Sequence, residues 1–278
     1  MKRRIFLFLL VLCPWLVRAE PVRQYPLEGT VRAVLSPEEL VVAHEDIPNF
    51  MPAMTMAFDL AAPLPKGDVQ AGNQIRALLV VSDAGMVLQD VVVVGSATDH
   101  APRARPNKVP RLDEGDTVPE FALLDQNRTP RGLTTPERYT VLTFVFTRCP
   151  VPDFCPLMAT KFAGLQRAIQ AGETGVPVSL LSVTIDPEFD TPEQLAAYGE
   201  AVGADPAIWS HAVATPEVTD QIVRAFRVYR ERNGALLDHT LCTALIDPQG
   251  KIVQVWRGNR WTRDDVVTAI NAAAGGAQ

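Results

Sequence analysis

Thr140-Val141-Leu142-Thr143-Phe144-Val145-Phe146-Thr147-Arg148-Cys149-Pro150-Val151-Pro152-Asp153-Phe154-Cys155-Pro156-Leu157-Met158 runs from an unbroken apolar segment, through two cysteines, into a helical repeat. Thr140–Phe146 is a continuous apolar run, as expected of a strand buried on both faces. Pro156 suits the first turn of a helix, where its missing N–H goes unused. Met158, Phe162, Leu165 and Ile169 then follow at helical spacing. The stretch therefore reads as buried strand, cysteine loop and helix, with Cys155 at the helix start.

Working outward, Val178–Ile185 reads as a second buried strand. Thr191-Pro192 opens a helix with Gln194 completing a capping box, and Leu195, Tyr198 and Val202 lie along one face. Thr215-Pro216 opens another helix, with Val218, Ile222 and Phe226 four apart. Leu241–Ile246, the turn Asp247-Pro248-Gln249-Gly250 and Ile252–Trp256 read as a hairpin. Thr262 with Asp265 caps a last helix. The order β-α-β-α-α-β-β-α, ending on an antiparallel pair, predicts an α/β thioredoxin-like domain over residues 116–274.

Upstream the composition changes. Residues 99–115 space Pro102, Pro106 and Pro110 among arginines and a lysine with no apolar periodicity, the pattern of a solvated linker. Before it, Thr30–Leu35, Leu40–Ala43, Ala53–Leu60, Gln74–Val81 and Met86–Val94 are short β-rich runs punctuated by proline and glycine turns. Five short strands within residues 26–98 predict a small all-β barrel, OB-like in type.

At the N-terminus, Lys2, Arg3 and Arg4 precede the apolar run Ile5–Val17, and Val17-Arg18-Ala19 offers a cleavage site. Residues 1–19 thus read as a secretory signal peptide. The run is short for a spanning helix, so an uncleaved membrane anchor is the weaker reading. Leu12 argues against a lipoprotein at Cys13. Removing Lys2, Arg3, Arg4 and Arg18 takes the formal charge from −6 to −10. An acidic exported chain has no electrostatic reason to bind nucleic acid. Three cysteines then remain, Cys149, Cys155 and Cys242, too few for a disulfide scaffold.

Two constellations carry chemistry. In Phe50-Met51-Pro52-Ala53-Met54-Thr55-Met56-Ala57-Phe58, strand alternation sets residues 54, 56 and 58 on one face. Methionine is a common core filler. Paired thioethers are equally soft ligands for Cu(I) or Ag(I), and His44 just upstream supplies an imidazole. In the second constellation, Cys149 and Cys155 both lie near a helix N-terminus, which favours thiolates. Such a pair suits a thiol–disulfide enzyme, a peroxidase or a copper carrier. The spacing is longer than C-x-x-C and leaves room for a third ligand, for which His239 is the candidate. Cys242 alternates with Ala244 and Ile246 and reads as a buried structural thiol. His100 and His211 read as structural or solvated.

The stretch His44-Glu45-Asp46-Ile47-Pro48-Asn49-Phe50 through Phe58 resembles the CusF-like periplasmic copper-binding domains. That resemblance implies a small OB-type barrel holding Cu(I) or Ag(I) through His44, Met54 and Met56. In well-known members a Trp covers the metal where this chain has Met51, so Met51 or neighbouring Phe50 completes the site. Val118-Pro119-Glu120-Phe121, Phe144–Pro150, Cys155-Pro156, Ser182–Pro187, Asp190-Thr191-Pro192-Glu193, Asp238-His239 and Leu245–Pro248 resemble the Sco/SenC family. The family implies a thioredoxin-like fold binding copper, Cu(I) and also Cu(II), through Cys149, Cys155 and His239. Its usual cysteine spacing is shorter by two residues. The resemblances together predict a periplasmic copper metallochaperone. Its partners would be a copper-accepting protein such as a cytochrome oxidase subunit, and a thiol reductant. The rival is a thiol–disulfide reductase in which Cys149 and Cys155 are the redox-active pair.

Overall fold

A computed structural model describes residues 22–65, 67–82, 85–96, 111–233 and 236–275. The predicted signal peptide, residues 99–110 of the predicted linker, and His100 lie outside the described residues.

The first unit contains β1 (Arg23–Ser36), β2 (Glu39–His44), β3 (Met54–Leu60), β4 (Asn73–Ser82) and β5 (Gly85–Ser96). They pair in the order β1-β2-β3-β5-β4, and β4 returns to β1 to close the ring. Every pairing is antiparallel except β3 with β5, where Asp59 sits beside Val87. Closure removes sheet edges and directs Leu27, Val31, Leu40, Val42, Phe58 and Leu79 into one apolar core.

The second unit follows as β6 (Leu123–Asp125), β7 (Pro130–Arg131), β8 (Tyr139–Val145), α1 (Cys155–Gln170), β9 (Val178–Thr184), α2 (Pro192–Ala201) and β10 (Trp209–Val213). It continues as α3 (Pro216–Ala225), β11 (Arg230–Asn233), β12 (Leu236–His239), β13 (Cys242–Ile246), β14 (Ile252–Arg257) and α4 (Arg263–Gly275). Seven strands form one sheet in the order β14-β13-β8-β9-β10-β6-β7. β8, β9 and β10 run parallel at its centre, and every residue of β8 and β9 is buried. One core joins Phe144, Phe146, Leu181 and Val183 to Ile222 and Phe226 of the α3 region. The other joins Val141 and Leu180 to Phe162, Leu165, Val266 and Ile270 of α1 and α4.

The observed order carries more strands than the sequence pattern predicts. β10 lies between α2 and α3, and β6–β7 precede β8. The ribbon β11–β12 pairs only with itself among the described residues. β10 escapes a periodicity reading because Ser210 and His211 interrupt its apolar residues. β11, with Arg230-Glu231-Arg232-Asn233, has no apolar pattern at all. Leu112, within the span assigned to the linker, is buried in the second unit's core, and its N–H donates to Ala225 O at 2.8 Å.

The two units touch. Ala33, Leu35 and Val41 of the barrel form a small apolar cluster with Tyr229, and Ala57 packs against it. Arg260 donates to Ser82 O at 3.0 Å, and Arg111 donates to Leu35 O. The buried Glu39 carboxyl is pushed above its ordinary range by desolvation, opposed by Arg257, Arg227 and Arg111 of the second unit.

Candidate metal centres

β8 delivers the chain to one end of the sheet, and the following loop carries Cys149. Its anchor is Asp190, fully buried, which accepts from the Thr147 N–H at 3.1 Å and the Thr147 hydroxyl at 2.5 Å. Cys155 is the first residue of α1. The helix N-cap, Phe154, provides no side-chain cap; Pro156 has no N–H and the Leu157 N–H donates to Pro152 O at 3.1 Å, so the Cys155 N–H and the dipole are what the first turn offers a negative sulfur. His239 ends β12. Its Nδ1 sits 3.1 Å from Thr240 O, its hydrogen-bond acceptor, which turns Nε2 toward Cys155 Sγ at 3.9 Å. The rings of Phe146 and Phe154 stand edge-on to the imidazole, each with centroids 5.4 Å away.

Cys149, Cys155 and His239 thereby bring two sulfurs and one ring nitrogen within 4.8 Å of one another. The two extra residues between the cysteines are absorbed by the loop turns at Val151 and Pro152. The sequence reading treats both cysteines alike, yet the fold separates them. A hydrogen bond from Cys155 holds the Cys149 thiol down to about 4. Cys155 is pushed well above its ordinary value, first by donating that bond and then by burial. The arrangement favours the thiolate at Cys149 and the protonated form at Cys155. A cleft of about 460 Å³, lined by Thr147, Cys149, Cys155, Pro156, Tyr198 and Val202, opens onto the pair.

In the barrel, the β2–β3 register sets His44 directly across from Met54, and Val42 across from Met56. Met54 and Met56 share a strand face with Phe58, whose ring lies in the barrel core. His44 is 3 % exposed. Its Nδ1–H donates to Glu45 O at 2.7 Å, which leaves Nε2 as a lone pair, buried and without a hydrogen-bond partner. Burial lowers the His44 pKa, so the imidazole stays neutral and its lone pair free to bind. Gly29 faces His44 across β1 and β2. A Cβ there would lie 2.6 Å from Ala43 O and 2.8 Å from His44 Cα, so glycine permits the close strand approach.

Met51 closes a backbone bridge with Ile47 and packs against the barrel core. Phe50 is stacked on Tyr25 at 4.4 Å. Cys242 is buried in the sheet, and burial raises its pKa. His211 is fully buried on β10, tilted on Trp209 at 5.1 Å.

Residues 24–92 match the family model described as copper binding periplasmic protein CusF. Protein sco1 of Schizosaccharomyces pombe is 30 % identical over 143 residues, covering 49 % of this chain and 52 % of that protein. A putative copper-binding protein of Stutzerimonas stutzeri is 38 % identical over 82 residues, covering 29 % of this chain and 39 % of the relative. The chain thus spans about half or less of the length of these curated relatives. The crystal structure of a SCO1/SenC family lipoprotein from Bacillus anthracis aligns with a TM-score of 0.51 at 25 % identity, over 57 % of this chain and 95 % of that one. The SCO1/SenC family model matches residues 110–275, more than half of the sequence, and the chain belongs to that family.

Proposed function

We propose that this protein is a periplasmic copper carrier with two chemically different sites. The observation that carries the reading is the convergence of Cys149, Cys155 and His239 within 4.8 Å. Thiolate sulfur and neutral imidazole are the donors that soft Cu(I) selects, and the imidazole also suits Cu(II). In the OB-type barrel His44, with its unpartnered Nε2, lies in register with Met54, and Met54 and Met56 would complete an N/S/S donor set. Phe50 is committed to Tyr25, which favours Met51 over Phe50 as a further ligand. Among the described residues no helix is long and apolar enough to cross a membrane.

The carrier delivers copper to an accepting protein, by family resemblance a cytochrome oxidase copper subunit, or serves copper tolerance. A thiol reductant keeps the cysteines able to bind. Anaerobic Cu(I) titration of the reduced protein tests this. Two equivalents should bind, with one lost in Cys149→Ser/Cys155→Ser and the other in Met54→Leu/Met56→Leu. One equivalent or none in the unaltered protein would refute the two-site reading.

A second reading, a reductase acting on a partner's cysteines, is favoured by the low pKa of Cys149. A thiolate at neutral pH attacks a disulfide readily, and the cleft beside it admits a partner. His239→Ala separates the two: it weakens copper binding at the thiol site, Cu(II) most of all, whereas thiol exchange survives.

A further inference from the structure

We propose that Asp186 is a positioning residue that sets the distance between the Cys149 loop and the His239 ribbon. This rests on the copper reading of Cys149, Cys155 and His239. The three candidate ligands arrive on separate elements, and among the described residues the ribbon that ends in His239 shares no ladder with the seven-stranded sheet. Side chains must therefore contribute to holding it in place.

Asp186 follows β9 and is 1 % exposed. Its two carboxylate oxygens are divided between the two ligand-bearing segments. Oδ2 accepts from Arg148, the residue before Cys149, at 2.6 Å. Oδ1 accepts from Arg232 of β11 at 2.7 Å. Arg232 also bonds Glu188 at 2.6 Å. Arg230, directly across the ribbon from His239, donates to Ile185 O at 2.6 Å and to Asp220 at 2.7 Å. The Arg148 guanidinium lies 3.7 Å over the Phe189 ring. The segment 185–189 thus grips the cysteine loop with one hand and the histidine ribbon with the other.

A planar guanidinium bound to a carboxylate fixes direction as well as distance. Asp186 is buried, so loss of one arginine leaves its charge half compensated rather than returned to water. Leu237 packing and the Tyr229–Thr240 hydrogen bonds hold the base of the ribbon. The arginines set its tilt. The consequence differs between oxidation states of copper. Cu(I) is satisfied by two sulfurs at low coordination number, whereas Cu(II) needs the imidazole in its tetragonal set. Loosening the ribbon should therefore cost Cu(II) more than Cu(I).

The test uses the full reduced protein and Arg232→Met, a change at a half-exposed side chain, with thermal unfolding to check the fold and Arg148→Met as the second variant. Two readouts are taken: amide hydrogen exchange over residues 236–240 without metal, and the affinities for Cu(II) and Cu(I) at the thiol site. Arg232→Met should speed exchange in the ribbon about tenfold. It should weaken Cu(II) binding about tenfold, change Cu(I) binding less than threefold, and leave the barrel site unaltered. Arg148→Met should weaken Cu(II) binding while ribbon exchange stays near its original rate. Unchanged ribbon exchange in Arg232→Met, or faster exchange with unchanged Cu(II) affinity, overturns the proposal. If the unaltered protein binds no copper through its thiols, the carrier reading fails, and the exchange result alone decides whether Asp186 holds the ribbon.

Discussion

Thr55 on β3 donates a hydrogen bond to Asp238 on β12 at 3.4 Å. Thr55 lies between Met54 and Met56, and Asp238 precedes His239. Because side chains alternate along a strand, β3 turns Met54, Met56 and Phe58 to one face and Thr55 and Ala57 to the other. One face builds the barrel's candidate site. The other rests on the second unit, with Ala57 against the cluster that holds Tyr229. The two candidate sites therefore stand on either side of a single strand contact, and the units are already docked without calling on the linker's reach.

Ala57→Arg should undock them. A long cation at this partly buried position would press against Tyr229, and overpacking of this kind costs about 1–3 kcal/mol. The barrel's own core is built from the opposite face of β3, so it should persist. Small-angle scattering should show a larger radius of gyration while circular dichroism stays the same. An unchanged radius would mean that the contact is not kept in solution.

Much of this architecture is readable in the sequence wherever burial imposes a simple pattern. Thr140–Phe146 and Val178–Ile185 are buried on both faces, so their apolar runs mark them as central strands. The Thr191/Gln194 capping box is present as the spacing predicts. Cys149, Cys155 and His239 converge because two of them flank those legible elements. What escapes is held by charge rather than by apolar periodicity. β11 is arginine-rich and stays in place through Asp186, Glu188 and Asp220, partners far away in the chain. The inequality of the two cysteines also escapes, since it depends on which sulfur is buried and which accepts the hydrogen bond.

Cys149 should be the thiol that reacts. Its depressed pKa, about 4, keeps it ionised at every pH above that value, whereas Cys155 is protonated and 1 % exposed. Iodoacetamide labelling of the reduced, metal-free protein should modify Cys149 first, at a rate nearly flat from pH 8 to pH 6 and falling only as pH approaches 4. An ordinary thiol would lose about tenfold per pH unit over the upper part of that range. Peptide mapping that found Cys155 labelled first, or a rate dropping steeply below pH 8, would contradict the assignment.

His211 should make the protein acid-sensitive. Burial lowers its pKa to about 4 against an ordinary 6.5, and neither ring nitrogen has a hydrogen-bond partner. Between pH 6.5 and 4 the unfolded chain takes up a proton that the folded chain refuses. Stability is therefore lost as pH falls through that window, by up to about 3 kcal/mol, and the loss levels off below it. His211→Leu removes the titrating group without abandoning a hydrogen bond. The difference in unfolding free energy between pH 7 and pH 4 should shrink by a similar amount in that variant. Equal pH dependence in both proteins would place the acid sensitivity elsewhere.

Copper should move from the barrel to the second unit. The proposed barrel donors are neutral, two thioethers and an imidazole, whereas the proposed donors of the second unit are the Cys149 thiolate and a Cys155 thiol that would lose its proton on binding the metal. Thiolates hold soft Cu(I) more strongly than thioethers do, so the equilibrium should favour the thiol site by at least tenfold. Thr55 and Asp238, next in sequence to candidate ligands of the two sites, are in contact, so the fused chain should equilibrate far faster than separate parts at micromolar concentration, where effective concentrations within one chain reach about millimolar. The check is to load Cys149→Ser/Cys155→Ser with one equivalent of Cu(I), mix it with unloaded Met54→Leu/Met56→Leu, and separate the two proteins. Copper should be recovered mainly on the protein with intact cysteines. Transfer between these two molecules should be slower than the internal transfer, read by stopped-flow thiolate absorption in the unaltered protein. Oxidation of Cys149 and Cys155 to a disulfide removes the thiolates and should leave the copper on the methionines. Copper that stays with Met54 and Met56 under reducing conditions would reverse the proposed direction.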